Sequence, residues 1–149
     1  GVEVVPAASA EETVRGSDIV VTITTAARPL FDGDWLEAGT PVNAAGSNAL
    51  IRQEIDEKTV RRAGVVCVDG RATALREAGD LLPALEKGRL HAGQLAELGE
   101  VLVGARPGRT DSGQISLFES QGMAIQDLAL AVRLVALARQ QGLGMELPY

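Results

Sequence analysis

The sequence predicts an α/β fold, a parallel sheet with helices on its faces. Three observations lead there. Strand-like and helix-like segments alternate as β-α-β-loop-β-α-β with short connections, the order that builds parallel sheets. The strand-like runs are nearly continuous in apolar residues, as in DIVVTITT (Asp18–Thr25) and VVCV (Val65–Val68), which suits strands covered by helices. The chain has 149 residues, 46% apolar and 23% charged, enough for one domain with a real core. Aromatics are only 3%, so that core falls to Val, Leu, Ile and Ala.

In order, GVEVVP (Gly1–Pro6) reads as a short strand. Ser9 and Glu12 fit a capping box that starts a short helix ending near Gly16. Asp18–Thr25 is β-branched throughout and reads as a central strand. Ala26–Gly39 is a loop with turn signals at Arg28-Pro29 and Asp32-Gly33, packed down by Trp35-Leu36. Pro41–Asn48, PVNAAGSN, is a buried strand running into a small-residue turn. Arg52–Gly64 reads as a helix with Glu54–Lys58 and Glu57–Arg61 pairs, a buried face of Ile51, Ile55 and Val60, and Gly64 at its end. Val65–Val68 is the next strand, ended by Asp69-Gly70. Helices follow over Arg71–Gly79, Asp80–Lys87 and Gln94–Val103, then a turn-rich loop, Ala105–Gly113. Ile115–Phe118 is the last strand. Met123–Gln141 is the longest helix, closed by Gly142. Its Gln126, Arg133 and Gln140 share one stripe and most of the remainder is apolar, which predicts burial by more than one neighbour. The tail LGMELPY is too apolar for a free linker.

Composition narrows the function classes. A formal charge of −6 without a Lys/Arg cluster argues against nucleic acid. The longest apolar run, Leu128–Ala138, is broken by Arg133 and too short for a bilayer, so no membrane role is expected. The opening GVEVV lacks a basic and apolar leader. The one cysteine, Cys67, reads as a small buried hydrophobe, and a lone Cys goes with a reducing, cytoplasmic compartment. His91 has no Cys or His companion, so neither a metal site nor a Ser-His-acid set is expected. There is no G-x-G-x-x-G and no P-loop.

The remaining signal is positional. Thr24, Gly46-Ser47-Asn48, Asp69-Gly70 and Ser120-Gln121-Gly122 all fall at the carboxyl ends of expected strands. Ligands of open α/β sheets bind along that edge. Small residues and hydroxyls there admit a flat cofactor, although turn preference alone also places them at strand ends.

The segments DIVVTIT (Asp18–Thr24), DWLEAGT (Asp34–Thr40), VNAAGSNALIRQEID (Val42–Asp56), ELGEV (Glu97–Val101), PGRT (Pro107–Thr110) and ISLFESQGMAIQD (Ile115–Asp127) resemble, in order, motifs of the ornithine cyclodeaminase/mu-crystallin family. The resemblance implies a partial Rossmann-like sheet. Residues 1–118 would be the second portion of an NAD(P)-binding domain. Residues 119–149 would be the exit of the last strand and a helix returning to the substrate and dimer domain. It further implies a homodimer, NAD or NADP, and a small amino acid or cyclic imine as substrate. Carried over by position, Thr24, Ala45, Gly46, Ser47, Arg52 and Ser120 would contact the cofactor, and Gln121 would lie on the substrate side. Asn48 stands where the family's cyclodeaminases have an acid/base Asp, and an amide does not exchange a proton at neutral pH. The expected activity is therefore hydride transfer between nicotinamide and an amino acid or cyclic imine, with this segment alone inactive. Ornithine cyclodeamination and a non-catalytic binding role like that of mu-crystallin are the alternatives.

Overall fold

A computed structural model of the chain describes residues 1–145, 147 and 148. Five parallel strands form one sheet: β1 (Val20–Thr22), β2 (Pro41–Ala44), β3 (Val65–Val68), β4 (Leu95–Glu97) and β5 (Ser116–Glu119). Their spatial order is β1-β2-β5-β3-β4, so the last strand inserts between the second and the third. The register aligns Val20, Val42, Leu117, Val66 and Leu95 in one row across the sheet, and every member is buried. Ile55, Val60, Ala74, Leu81 and Ala84 from the helical segments join the same cluster. Strand side chains alternate faces. Two residues further on, that face therefore carries Thr22, Ala44, Glu119, Val68 and Glu97. The core face turns from apolar to partly polar just beneath the strand ends.

Helix starts and stops follow local chemistry. In α1 (Ala10–Val14) the Ser9 hydroxyl accepts from the Glu12 N–H at 3.1 Å, while the Glu12 carboxylate reaches back to Ala8 N–H. α2 (Glu57–Arg62) starts at Asp56, whose carboxylate accepts from both the N–H and the hydroxyl of Thr59. Arg61 and Arg62 lie in its last turn, where cations suit the helix dipole. α3 (Arg71–Glu77) and α4 (Leu82–Glu86) are joined by a tight turn with Gly79 and Asp80 buried in it. α5 (Leu98–Leu102) follows β4 directly, and α6 (Ala124–Gln141) ends at Gly142 in the left-handed region, φ +64°.

Several expectations need correction. Gly1–Pro6 is not a strand: it has no neighbour to bond to, and Val2, Val4 and Val5 are exposed. Asp18–Thr25 holds only the three residues of β1, at the edge of the sheet rather than its centre. The helix expected over Arg52–Gly64 is confined to Glu57–Arg62. Ile55 and Val60 are buried, but Ile51 is 81% exposed. The intrahelical pairs do not form. Lys58 bridges Asp32 and Asp34 at 2.9 and 2.7 Å, and Glu57 holds Lys87 and Arg89. Gln94–Val103 splits into β4 and α5, because pairing of Leu95–Glu97 with β3 overrides the helical propensity of Leu, Ala and Glu. No residue of α6 is buried within the chain, so the cover expected for this helix on its way to another domain is not supplied by the described residues. In the tail, Leu143, Met145 and Leu147 are exposed, and Glu146 and Tyr149 lie outside the described residues. Trp35 and Leu36 do pack on the core, and Cys67 is buried, with burial pushing its thiol pKa up. No helix among the described residues is long and apolar enough to cross a membrane.

Candidate functional site

Because the strands are parallel, their carboxyl ends share one edge. Thr24 lies beyond β1, Gly46–Asn48 beyond β2, Ser120–Gly122 beyond β5 and Asp69-Gly70 beyond β3, on four adjacent strands. The four polar clusters singled out in the sequence thus form one continuous shelf. Backbone bonds tie it together: Ala45 N–H donates to the Thr22 carbonyl at 2.9 Å, and Ser120 N–H to the Ala44 carbonyl at 2.9 Å.

Beneath the shelf lie buried carboxylates. Glu54 Oε1 accepts from the N–H and hydroxyl of Thr24 at 2.5 and 2.6 Å. Its Oε2 accepts from the Thr22 hydroxyl at 3.0 Å and from Gly46 N–H at 2.7 Å. Position 46 has to be glycine, since a Cβ there would collide with the Thr24 carbonyl oxygen and this carboxylate. The segment from Gly46 to Glu54 closes into a compact loop. The Ser47 hydroxyl donates to the Arg52 carbonyl at 2.9 Å and accepts from Asp80 N–H at 3.0 Å. Arg52 Nη1 donates to Asn48 Oδ1 at 2.8 Å. Asn48 is exposed and Arg52 half-buried, so the shelf presents an amide whose carbonyl is taken and whose NH₂ remains a donor.

Asp69 does the same work on the other half. Its Oδ2 accepts from the Ser120 hydroxyl at 2.9 Å and Gly122 N–H at 2.6 Å, and its Oδ1 from Gly70 N–H at 2.8 Å. Asp80 Oδ1 accepts from the N–H groups of Glu54 and Ile55 at 2.7 and 3.0 Å. Burial pushes the Asp80 carboxyl up to about 6, with the Glu54 charge adding and the two backbone donors opposing. Glu119 is pushed well above the usual carboxylate range, first by burial and then by the charges of Asp80, Glu54 and Asp69. Gln121 Nε2 donates to Glu119 Oε1 at 3.1 Å. Asp80 Oδ2, Glu119 Oε2 and Gln121 Oε1 are buried without a hydrogen-bond partner among the described residues.

A model of the ornithine cyclodeaminase/mu-crystallin family matches residues 1–140. The chain belongs to that family. It is 36% identical over 139 residues to a Δ1-pyrroline-2-carboxylate reductase of Bacillus cereus, covering 93% of this chain and 42% of that protein. It is 37% identical over 123 residues to the ketimine reductase mu-crystallin of Mus musculus, covering 83% of this chain and 36% of that protein. In structure it is similar to the Thermococcus litoralis Δ1-pyrroline-2-carboxylate reductase solved with NADH and L-proline. There the TM-score is 0.86 and the identity 34%, over 93% of this chain and 43% of the other. The chain thus spans about two fifths of the length of the relatives it matches.

For a family with a nicotinamide cofactor, the shelf meets one half of the requirement. Gly122 has open space where a side chain would stand, so a flat ring can approach the backbone there, whereas a Cβ at Gly70 would touch Met123 and Thr73. Asn48 lies at the same strand-end edge, beyond β2, where it is hydrogen-bonded to Arg52. The sequence holds no G-x-G-x-x-G turn to seat a pyrophosphate on a helix. A cavity of about 460 Å³ lies at the opposite, amino-terminal edge, lined by Ser17, Asp18, Thr40 and Arg109, away from these groups. Thr24, Gly46-Ser47-Asn48, Asp69-Gly70 and Ser120-Gln121-Gly122, expected at strand carboxyl ends, share one edge, and Ala45 and Arg52, carried over by resemblance, bond to residues of that edge. The sequence reading missed Glu54, Asp80 and Glu119. Strand parity was the signal for Glu119, which shares a face with Leu117.

Proposed function

We propose that this chain is the later part of a subunit that reduces a cyclic imine, or oxidises the corresponding amino acid, with NAD(P). In that reading residues 1–118 complete a Rossmann domain, and 119–149 lead towards a substrate and dimer domain. When bound, the nicotinamide supplies or accepts the hydride. The chain's residues hold and orient. Thr24, Ala45, Gly46, Ser47 and Ser120 form the surface against the nicotinamide half, Arg52 adds a positive charge, and Gln121 faces the substrate side. Asn48 orients a water, an amide or the substrate through its free NH₂. The single observation that carries the reading is the convergence of Thr24, Gly46–Asn48 and Ser120–Gln121 on one strand-end shelf. The names of the reductase relatives support the reaction class. The Arg52 bond to Asn48 favours reduction over cyclodeamination, since position 48 then offers donors and no titrating acid. A homodimer through α6 and a cytoplasmic setting go with this reading.

The test is the full-length subunit with NADH or NADPH and Δ1-pyrroline-2-carboxylate, followed by absorbance. Turnover of order 1 s⁻¹ or more, with little proline and ammonia from ornithine and NAD, is the expected result. Ornithine turnover at that rate would make it a cyclodeaminase. Ligand binding with no turnover of either substrate would make it a binding protein.

A further inference from the structure

We propose that Glu54 is the positioning residue of the strand-end shelf, setting the separation between the β1 end that carries Thr24 and the β2 turn that carries Gly46, Ser47 and Asn48. This rests on the reading of that shelf as the nicotinamide side of the site. Glu54 is fully buried and its two oxygens take two donors each, with one backbone N–H from either strand end among them. No cation pairs with it among the described residues. Its charge is met by donors from the very segments that bear the candidate contacts, so moving the carboxylate moves the shelf.

The clip is anchored from behind. Glu54 lies on the loop before α2, and Asp80 in the α3–α4 turn accepts from its N–H and from that of Ile55. The Asp80 N–H in turn donates to Ser47, the residue after the clipped glycine. Three of the four donors come from the β1 end (the Thr22 and Thr24 hydroxyls and the Thr24 N–H) and the fourth, Gly46 N–H, from the β2 turn, so the one carboxylate spans both strand ends while the residue that supplies it is braced against a third element.

The experiment uses the full-length subunit and Glu54→Gln. A carboxamide keeps one acceptor oxygen and turns an NH₂ towards the other pair, so either Thr24 N–H or Gly46 N–H faces a donor. At saturating NADH and imine, kcat per folded molecule should fall at least tenfold, while the KM for the imine stays within threefold. Amide exchange in the peptides holding Thr24 and Gly46 should accelerate, and exchange in β3 should not. Wild-type kcat in the folded variant, with only a lower melting temperature, would overturn the proposal. If wild type itself reduces no imine, the functional reading falls. Exchange then decides the clip: faster exchange confined to those two peptides upholds it, and unchanged exchange overturns it. Should Glu54→Gln fail to fold, Thr22→Val removes one of the four donors without changing shape. A two- to fivefold loss of kcat is expected from it, and none would overturn the proposal.

Discussion

The strand-end shelf and helix α6 are opposite kinds of surface. In the shelf, polar groups meet partners inside the chain: the Thr22 and Thr24 hydroxyls and the Gly46 N–H go to Glu54, and Ser120 and Gly122 go to Asp69. In α6, Ile125, Leu128, Leu130, Val132, Leu134 and Val135 are all half exposed or more, and nothing described in the chain covers them. Fully burying each such side chain stabilises by about 1.5–3 kcal/mol. The shelf is therefore set by the chain itself, whereas α6 has the composition of an interior element without an interior. A satisfied polar network marks where a segment is self-sufficient, and an uncovered apolar helix marks where it is not.

The largest effect should come from breaking the shelf. Glu54→Ala leaves the buried Gly46 N–H and the Thr22 hydroxyl without their acceptor, each costing about 1–3 kcal/mol, and frees the part-buried Thr24 N–H and hydroxyl as well. A loss of roughly 4 kcal/mol or more in urea unfolding of the full-length subunit is expected. Asp69→Ala should cost about half as much, because it frees Ser120, Gly122 and Gly70 at a less buried site.

Asp80 sharpens the comparison through pH. Its folded pKa of about 6 lies above the ordinary 3.8, so the fold binds the proton more tightly than the unfolded chain. Stability from this group is full below about pH 4 and is lost as pH rises through about 6. Asp80→Asn keeps an oxygen for the Glu54 and Ile55 N–H groups and removes the charge. Thermal melts from pH 4 to 8 should show a flatter dependence in the variant, with a relative gain on the order of 2 kcal/mol at pH 7.5. A parallel shift with unchanged slope would contradict this assignment.

The smallest effect is expected in α6. Leu128→Glu or Val132→Glu should alter the stability of the 149-residue chain by no more than about 0.5 kcal/mol, as for other exposed positions. The same changes in the full-length subunit should weaken its assembly on gel filtration, since a covered apolar face tolerates no unpaired charge.

Much of this was legible in the residues. Val65–Val68 and Ile115–Phe118 lie within one residue of β3 and β5, because their runs leave no other period. The shelf followed from strand ends alone. Glu54 was misread because Lys58 stands four residues later, although Asp56 with Thr59 was the stronger helix start. β4 was hidden because Leu, Ala and Glu favour helix, and only pairing with β3 makes them a strand. The solitude of α6 was unreadable, since a uniform apolar circumference says that a helix is covered and not by what.

Hydrogen exchange on the 149-residue chain and on the full-length subunit tests the contrast most directly. The amides of Thr24 and Gly46, closed by Glu54, should be protected in both and change less than tenfold between them. The amides of Leu128–Val135 should gain a hundredfold or more in the full-length subunit. Equal exchange of α6 in the two proteins, or loss of protection at Thr24 and Gly46 in the shorter one, would contradict the account.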